Sequence, residues 1–194
     1  MKRLFYAFRG VSVVIPEIGL YDLIQESGDI VVGKRTSSDI LSNDVPENIT
    51  KRHLRLIEKH DVKILNMLRD GRDVIESRMF ATPKRWVASM RDYVKYRDYV
   101  DYTCFYERLV DHPNIIQAEI SSKFGLVPIH PFKSYPSFVP DEAFNDGQMA
   151  VYPSRPIYTD GVRKDYNWRR LVHDTKEFCK YIDIFQELLQ EAVS

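Results

Sequence analysis

Apolar residues along this chain fall into short unbroken runs that alternate with longer stretches of helical spacing. Leu4-Phe5-Tyr6-Ala7-Phe8 is apolar throughout and stops at Arg9-Gly10, which predicts a buried strand. Residues 18–25 predict a helix ended by Ser27-Gly28. Asp29-Ile30-Val31-Val32-Gly33 is β-branched and closed by glycine, a second strand. Residues 37–48 are polar and turn-rich. Residues 47–60 then put Ile49, His53, Leu54 and Ile57 on one side of a helix. Val62-Lys63-Ile64-Leu65-Asn66-Met67-Leu68 is the strongest strand candidate, apolar at nearly every position, as expected where helices cover both sheet faces. A helix is expected from about Arg72 and another over residues 83–97, with Pro83 suited to a helix start. Residues 102–106 read as extended. Residues 114–124 read as a helix capped by Gly125. Residues 133–158, rich in proline and aromatics, read as a long ordered loop or lid. A last helix is expected over residues 168–192. Strands alternating with helices predict an α/β domain around a parallel sheet.

Composition narrows the function classes. The 194 residues suit a single domain, with 44% hydrophobic and 29% charged residues. The 28 basic and 28 acidic residues cancel. That balance argues against coating nucleic acid, because no excess positive field holds phosphates, but it leaves room for a local anion pocket. Cys104 and Cys179 fit no zinc or redox spacing; two free thiols suit a reducing compartment, a single disulfide being the alternative. Asp22 and Glu26 follow the N-terminal apolar run and no small-residue cleavage site ends it, so no signal peptide is read and a cytoplasmic location is expected. No stretch approaches the roughly 20 apolar residues of a membrane span. Neither a metal-ligand spacing nor a G-K-[ST] nucleotide loop is found, which disfavours metal catalysis and ordinary kinase chemistry.

The informative segment is Arg69-Asp70-Gly71-Arg72-Asp73-Val74-Ile75-Glu76-Ser77, directly after the strongest strand. Ligands of open α/β sheets sit beyond the carboxyl ends of strands. Arg69 stands at such an end, a helix is expected to begin beside it, and Ser77 lies on that helix. An arginine fork, helix N–H groups and a hydroxyl together suit a phosphate. The plainer alternative is a strand-end arginine that pairs with Asp70 or Asp73.

Residues 62–79, VKILNMLRDGRDVIESRM, resemble the signature of the sulfotransferases that use 3′-phosphoadenylyl sulfate (PAPS), in which a strand ends in R-D-P-R-D and a serine follows on the helix. Gly71 stands where proline is common. Phe105-Tyr106-Glu107-Arg108-Leu109-Val110-Asp111-His112-Pro113 is similar to the family's Y-E-D-L segment, and Phe124-Gly125-Leu126 to its F-L-G-L ending. Arg155-Pro156-Ile157, Gly161-Val162-Arg163 and Trp168-Arg169 are similar to its basic C-terminal segment. The three matches keep the family's order and cover roughly residues 60 to 190. The resemblance implies a P-loop-like fold of three layers, with a central parallel sheet and flanking helices. It implies that Arg69, Ser77 and Arg163 hold the 3′-phosphate and that Tyr106 lies near the adenine. It implies PAPS as donor, the bisphosphate nucleotide PAP as product, no metal, and a small-molecule, lipid or carbohydrate acceptor.

The family's phosphosulfate loop, P-[KR]-S-G-T-T, has no clean copy. Arg9-Gly10-Val11-Ser12, after the first expected strand, is one candidate; Arg35-Thr36-Ser37-Ser38-Asp39, after the second, is another. Gly33-Lys34 alternatively matches a later family strand that ends in lysine. Chain order favours the first candidate, with Gly10 and Ser12 at the phosphosulfate and Arg9 or Lys34 at the bridging oxygen. Ordinary surface charges are the competing reading of these basic residues. A base for the acceptor proton is normally His or Glu. Of His53, His60, His112, His130 and His173, His112 in the tyrosine motif and His173 on the last helix are not placed for this and His53 is expected to be packed or solvated; Glu17 is the candidate, a solvent-facing carboxylate being its commoner fate. Tyr93, Tyr96, Tyr99 and Tyr102 recur every three residues; packing is favoured over an acceptor wall. The aromatics of residues 132–152 are candidates for covering the acceptor or for a subunit contact. The rival to an enzyme is an interaction protein that keeps the fold without catalysis.

Overall fold

Two parallel pairs of short strands, each bridged by helix, make a mixed α/β architecture that is mostly helical. The structure, a computed structural model, describes residues 2–15, 20–26, 30–33, 47–76, 82–135, 137–138, 172 and 175–193.

In the first pair, β1 (Val11–Ile15) runs parallel to β2 (Ile30–Gly33), with an irregular register between Val11 and Val13. Helix α1 (Leu20–Leu23) lies between them in the chain. Helix α2 (Glu47–Lys59) follows, burying Thr50 and Ile57, and ends at Asp61, whose φ of 49° puts it in the left-handed region. The expected first strand is not a strand: Lys2–Ala7 is a 3-10 helix, and only Phe8 makes a β-bridge, antiparallel to Pro128. Leu4, Ala7 and Phe8 are the buried members of the run, a spacing of three and four rather than two. An unbroken apolar run has no readable period, so sequence pattern alone does not separate the two outcomes.

In the second pair, β3 (Leu65–Leu68) runs parallel to β4 (Tyr102–Phe105) in unbroken register, Leu65 beside Tyr102 and Leu68 beside Phe105. Parallel strands need a long crossover. It consists of α3 (Gly71–Glu76), α4 (Pro83–Tyr96) and a 3-10 turn over Arg97–Tyr99. Pro83 opens α4 as expected, and Thr82 caps it by accepting from the Arg85 amide at 3.3 Å. Helices α5 (Tyr106–Asp111) and α6 (Pro113–Phe124) follow, and Gly125 at φ 66° ends α6 as a left-handed cap. Helix α7 (Thr175–Glu191) lies within the expected last helix. Most of the expected lid, from residue 139 onward, lies outside the described residues, as do residues 37–46 of the polar stretch.

Alternate side chains of β3 and β4 enter two cores. Leu68 and Phe105 pack with Ile75, Trp86, Val87 and Met90 of α3 and α4 and with Phe178, Ile182 and Phe185 of α7. Cys104 packs on the other side with Leu4 and Phe8 of the N-terminal segment, Leu109 of α5 and Ile116 and Ile120 of α6, and Leu65 and Tyr102 border that cluster. The buried Gln117 fixes the chain after α6: its amide donates to the His130 carbonyl at 2.6 Å, and its oxygen accepts from the Phe132 amide at 2.9 Å. Among the described residues no helix is long and apolar enough to cross a membrane.

Candidate anion site at the carboxyl ends of the second strand pair

The register of β3 and β4 decides which residues meet beyond the sheet. Leu68 pairs with Phe105 at the carboxyl ends, so the next residues, Arg69 and Tyr106, emerge side by side. The Arg69 guanidinium lies over the Tyr106 ring, 4.4 Å from its centroid. A cation on an aromatic face gains about 0.5–1 kcal/mol when exposed and more as water is excluded. Sequence reasoning placed both residues at the nucleotide, and the fold brings these two together.

The turn that carries Arg69 is fixed from three sides. The Trp86 indole N–H of α4 donates to the Arg69 carbonyl at 3.0 Å. The Asp70 amide donates to Glu107 Oε1 of α5 at 2.9 Å. Gln186 of α7 donates to Asp70 Oδ2 at 3.2 Å. The Asp70 carbonyl accepts from the Val74 amide at 3.0 Å, and Asp70 Oδ1 accepts from the Arg72 amide at 2.8 Å, so Asp70 starts α3. The Arg72 guanidinium also donates to the same carboxylate, with its Nη2 2.5 Å from Oδ2. Asp70 is only 3% exposed, and a carboxylate that deep needs this number of donors.

Gly71 fits the same turn for a steric reason. An added Cβ would stand 2.6 Å from two indole carbons of Trp86, inside van der Waals contact. Gly71 is thus matched to the tryptophan beneath it.

Of the two pairings open to Arg69 in the sequence, the structure selects Asp73. Nε and Nη2 of Arg69 both donate to Asp73 Oδ2, Nε at 2.6 Å. Asp70 takes Arg72 instead. The pair is asymmetric: the Arg69 side chain keeps 32% of its exposure, that of Asp73 only 6%. Among the described residues Arg69 Nη1 makes no hydrogen bond. One edge of the guanidinium is thus held by Asp73, and one face rests on Tyr106. A carboxylate that orients an arginine by one edge leaves the other preorganised for a forked contact.

Other candidate residues lie elsewhere. Arg9 and Gly10 form the turn that leads into β1 rather than a loop that follows a strand; Gly10 has φ 78°, and the Arg9 amide donates to the Val127 carbonyl at 2.8 Å. Among the described residues no hydrogen bond or ion pair joins either of them to Arg69 or Tyr106. Ser12 sits within β1, and its side chain is outside the described set. Glu17, Lys34, Ser77 and Arg163 all lie outside the described residues. The segment that does follow the first parallel strand is residues 16–19, between β1 and α1, also outside the described residues.

Two of the recurrent tyrosines are packing residues on opposite sides of β4. The Tyr93 hydroxyl hydrogen-bonds the Thr103 hydroxyl at 2.9 Å, and the Tyr102 hydroxyl donates to Glu119 at 2.6 Å. Arg108 also donates to Glu119, so the Tyr102 hydroxyl belongs to an ion-pair network between α5 and α6. Burial, reinforced by the hydrogen bond to Glu119, raises the Tyr102 phenol above its ordinary value. His130 is exposed and stacks on Phe138 at 5.4 Å, and His53 faces the Tyr21 ring at 6.1 Å.

Glu107 is the site residue that sequence reasoning did not single out. Its Oε1 holds the Asp70 amide, while its buried Oε2 has no hydrogen-bond partner among the described residues. Burial is the main cause that raises its carboxyl above the usual range; the Asp70 and Glu107 amides and the Arg69 charge oppose this, and the Asp70 charge adds to it. The only cue in the sequence is an acid one residue past Tyr106 at a strand end. No protein-family model matches this chain, and no curated protein and no solved structure matches it.

Proposed function

We propose that this chain binds a 3′-phosphoadenosine-type nucleotide at Arg69 and Tyr106, on a three-layer P-loop-like fold of the sulfotransferase type. It uses PAPS as donor and moves the sulfuryl group to a hydroxyl or amine of a small-molecule, lipid or carbohydrate acceptor. The observation that carries this reading is the Arg69 guanidinium, half-exposed at a parallel-strand end, laid on the Tyr106 ring and oriented by Asp73 through one edge. Anion sites of α/β sheets form at such ends, and an arginine whose geometry is fixed in advance loses less entropy when it takes a phosphate. The resemblance in sequence adds Ser77 and Arg163 to the 3′-phosphate. In the transfer the acceptor oxygen or nitrogen bonds to sulfur as the bond from sulfur to the bridging oxygen breaks. The acceptor proton passes to a base, with Glu17 the candidate, and PAP leaves with its charge stabilised by Lys34.

A second reading, nucleotide binding without transfer, is favoured by one observation. The residues between β1 and α1 are Pro16-Glu17-Ile18-Gly19, which offer an acid and neither a cation nor a hydroxyl to a phosphosulfate. Calorimetric titration with PAP, using AMP as control, tests the shared nucleotide site. Release of PAP from PAPS in the presence of a panel of hydroxyl and amine acceptors separates the two readings.

A further inference from the structure

Behind Arg69 the charges are nearly closed. Arg69 from the end of β3 is paired with Asp73 of α3, and Arg72 of α3 is paired with Asp70. Two cations therefore meet two carboxylates. From α7 the neutral Gln186 donates to Asp70, from α4 the Trp86 indole donates to the Arg69 carbonyl, and from β4 the buried Cys104 thiol lies within reach of the Glu107 charge. Glu107 is the third carboxyl group here; the cation that acts on it is Arg69, which is already paired with Asp73. The Asp70 amide that donates to Oε1 and the Glu107 backbone amide can both serve a neutral carboxyl group as well. Among the described residues no donor meets the buried Oε2. A bare carboxylate oxygen in that position costs much more than a protonated one.

We propose that Glu107 is a positioning residue for the Arg69 anion site and acts as the neutral acid. With the proton on Oε2, Oε1 fixes the Asp70 amide and so the turn that aims Arg69. When the proton leaves, an uncompensated negative charge lies behind Arg69 and repels the anion the site is shaped to take. This rests on the reading of Arg69 as the 3′-phosphate site. Burial holds the Glu107 carboxyl above its ordinary range, in line with the orphaned Oε2. By linkage, an anion bound at Arg69 favours protonated Glu107, and protonated Glu107 favours the anion by the same factor.

The test compares wild type with Glu107→Gln, which keeps the Oε1 acceptor and cannot ionise. PAP affinity is measured by calorimetry from pH 5 to pH 8, and the carboxyl carbons of 13C-labelled glutamate are followed by NMR over the same range. Ionisation of the ligand's own phosphates is common to both proteins and cancels in the ratio of affinities. The expected result is a ratio near one at the acid end, falling about fivefold or more against wild type at the basic end. The carbon signal missing from Glu107→Gln should titrate above the other glutamates. A ratio that stays flat with pH, or a Glu107 carbon that titrates with the rest, overturns the proposal. The carbon titration is read on the unaltered chain and stands even where the variant folds poorly. If neither protein binds PAP at any pH, the nucleotide reading fails and takes the coupling with it, while the carbon titration alone decides whether Glu107 is neutral.

Discussion

The guanidinium of Arg69 lies 4.4 Å from the centroid of the Tyr106 ring, each residue being the first beyond its strand in a parallel pair whose ends are in register. The contact follows from pairing Leu68 with Phe105, so it needs no sequence proximity. Replacing Tyr106 with Leu removes the ring face and keeps an apolar body. PAP affinity should fall about three- to tenfold, in keeping with about 0.5–1 kcal/mol for an exposed cation–ring contact and more as it is desolvated. Tyr106→Phe should stay within about twofold of wild type if the ring face matters and the hydroxyl does not. Equal loss in both variants would show that the hydroxyl is what counts.

Gly71→Ala should destabilise the protein. In an open helix the change is favourable by about 1 kcal/mol. Here the new methyl meets Trp86 at 2.6 Å, and the indole is held by its bond to Arg69 and by the Phe178 ring at 5.1 Å. Overpacking of this kind costs about 1–3 kcal/mol, so the clash outweighs the propensity gain. Urea denaturation measures the sign. Adding Trp86→Phe should recover part of the loss as a non-additive coupling.

Glu107 also gives stability a pH dependence. Its folded-state value lies above the ordinary 4.5, so between the two values the folded chain binds the extra proton. Its contribution is fully present below 4.5 and is lost as pH rises through the raised folded value. Unfolding free energy measured from pH 4 to pH 8 should therefore show a downward component with rising pH that is missing from Glu107→Gln. An identical pH profile for the two proteins contradicts the assignment.

The two cysteines should differ sharply in reactivity. Cys104 is buried, and burial pushes its thiol up to about 12, which leaves almost no thiolate at neutral pH. Cys179 is exposed on α7. A thiol-disulfide reagent should titrate one group promptly in the folded protein and the second only after unfolding. Prompt reaction of both would mean that the core of the second strand pair opens readily.

Local signals carry much of the second strand pair and one strand of the first. Pro83 and Gly125 mark helix ends by backbone chemistry that tertiary contacts do not override, and the β-branched and apolar runs at Ile30 and Leu65 mark two strands. The N-terminus was read differently from what forms. Val11, Val13, Val14 and Ile15 are β-branched and make β1, yet the longer aromatic run before them drew the strand assignment. Moving the first strand also moves the loop that follows it from residues 9–12 to residues 16–19. At the candidate site, Arg69 was legible because it ends a strand, and its pairing with Asp73 was one of two local choices. The roles of Glu107 and Trp86 were not legible. Each depends on the crossover that brings α4 and α5 to the same turn, and nothing within a few residues of either one records that approach.

The most direct test of the account is calorimetric titration of wild type and Arg69→Gln with 3′-phosphoadenosine 5′-phosphate and with AMP. Wild type should prefer the bisphosphate over AMP by about tenfold or more, the value of a charge-assisted contact to one phosphate, and Arg69→Gln should lose most of that preference. Equal affinity of wild type for the two nucleotides, or a preference that survives in Arg69→Gln, would contradict a 3′-phosphate site at Arg69.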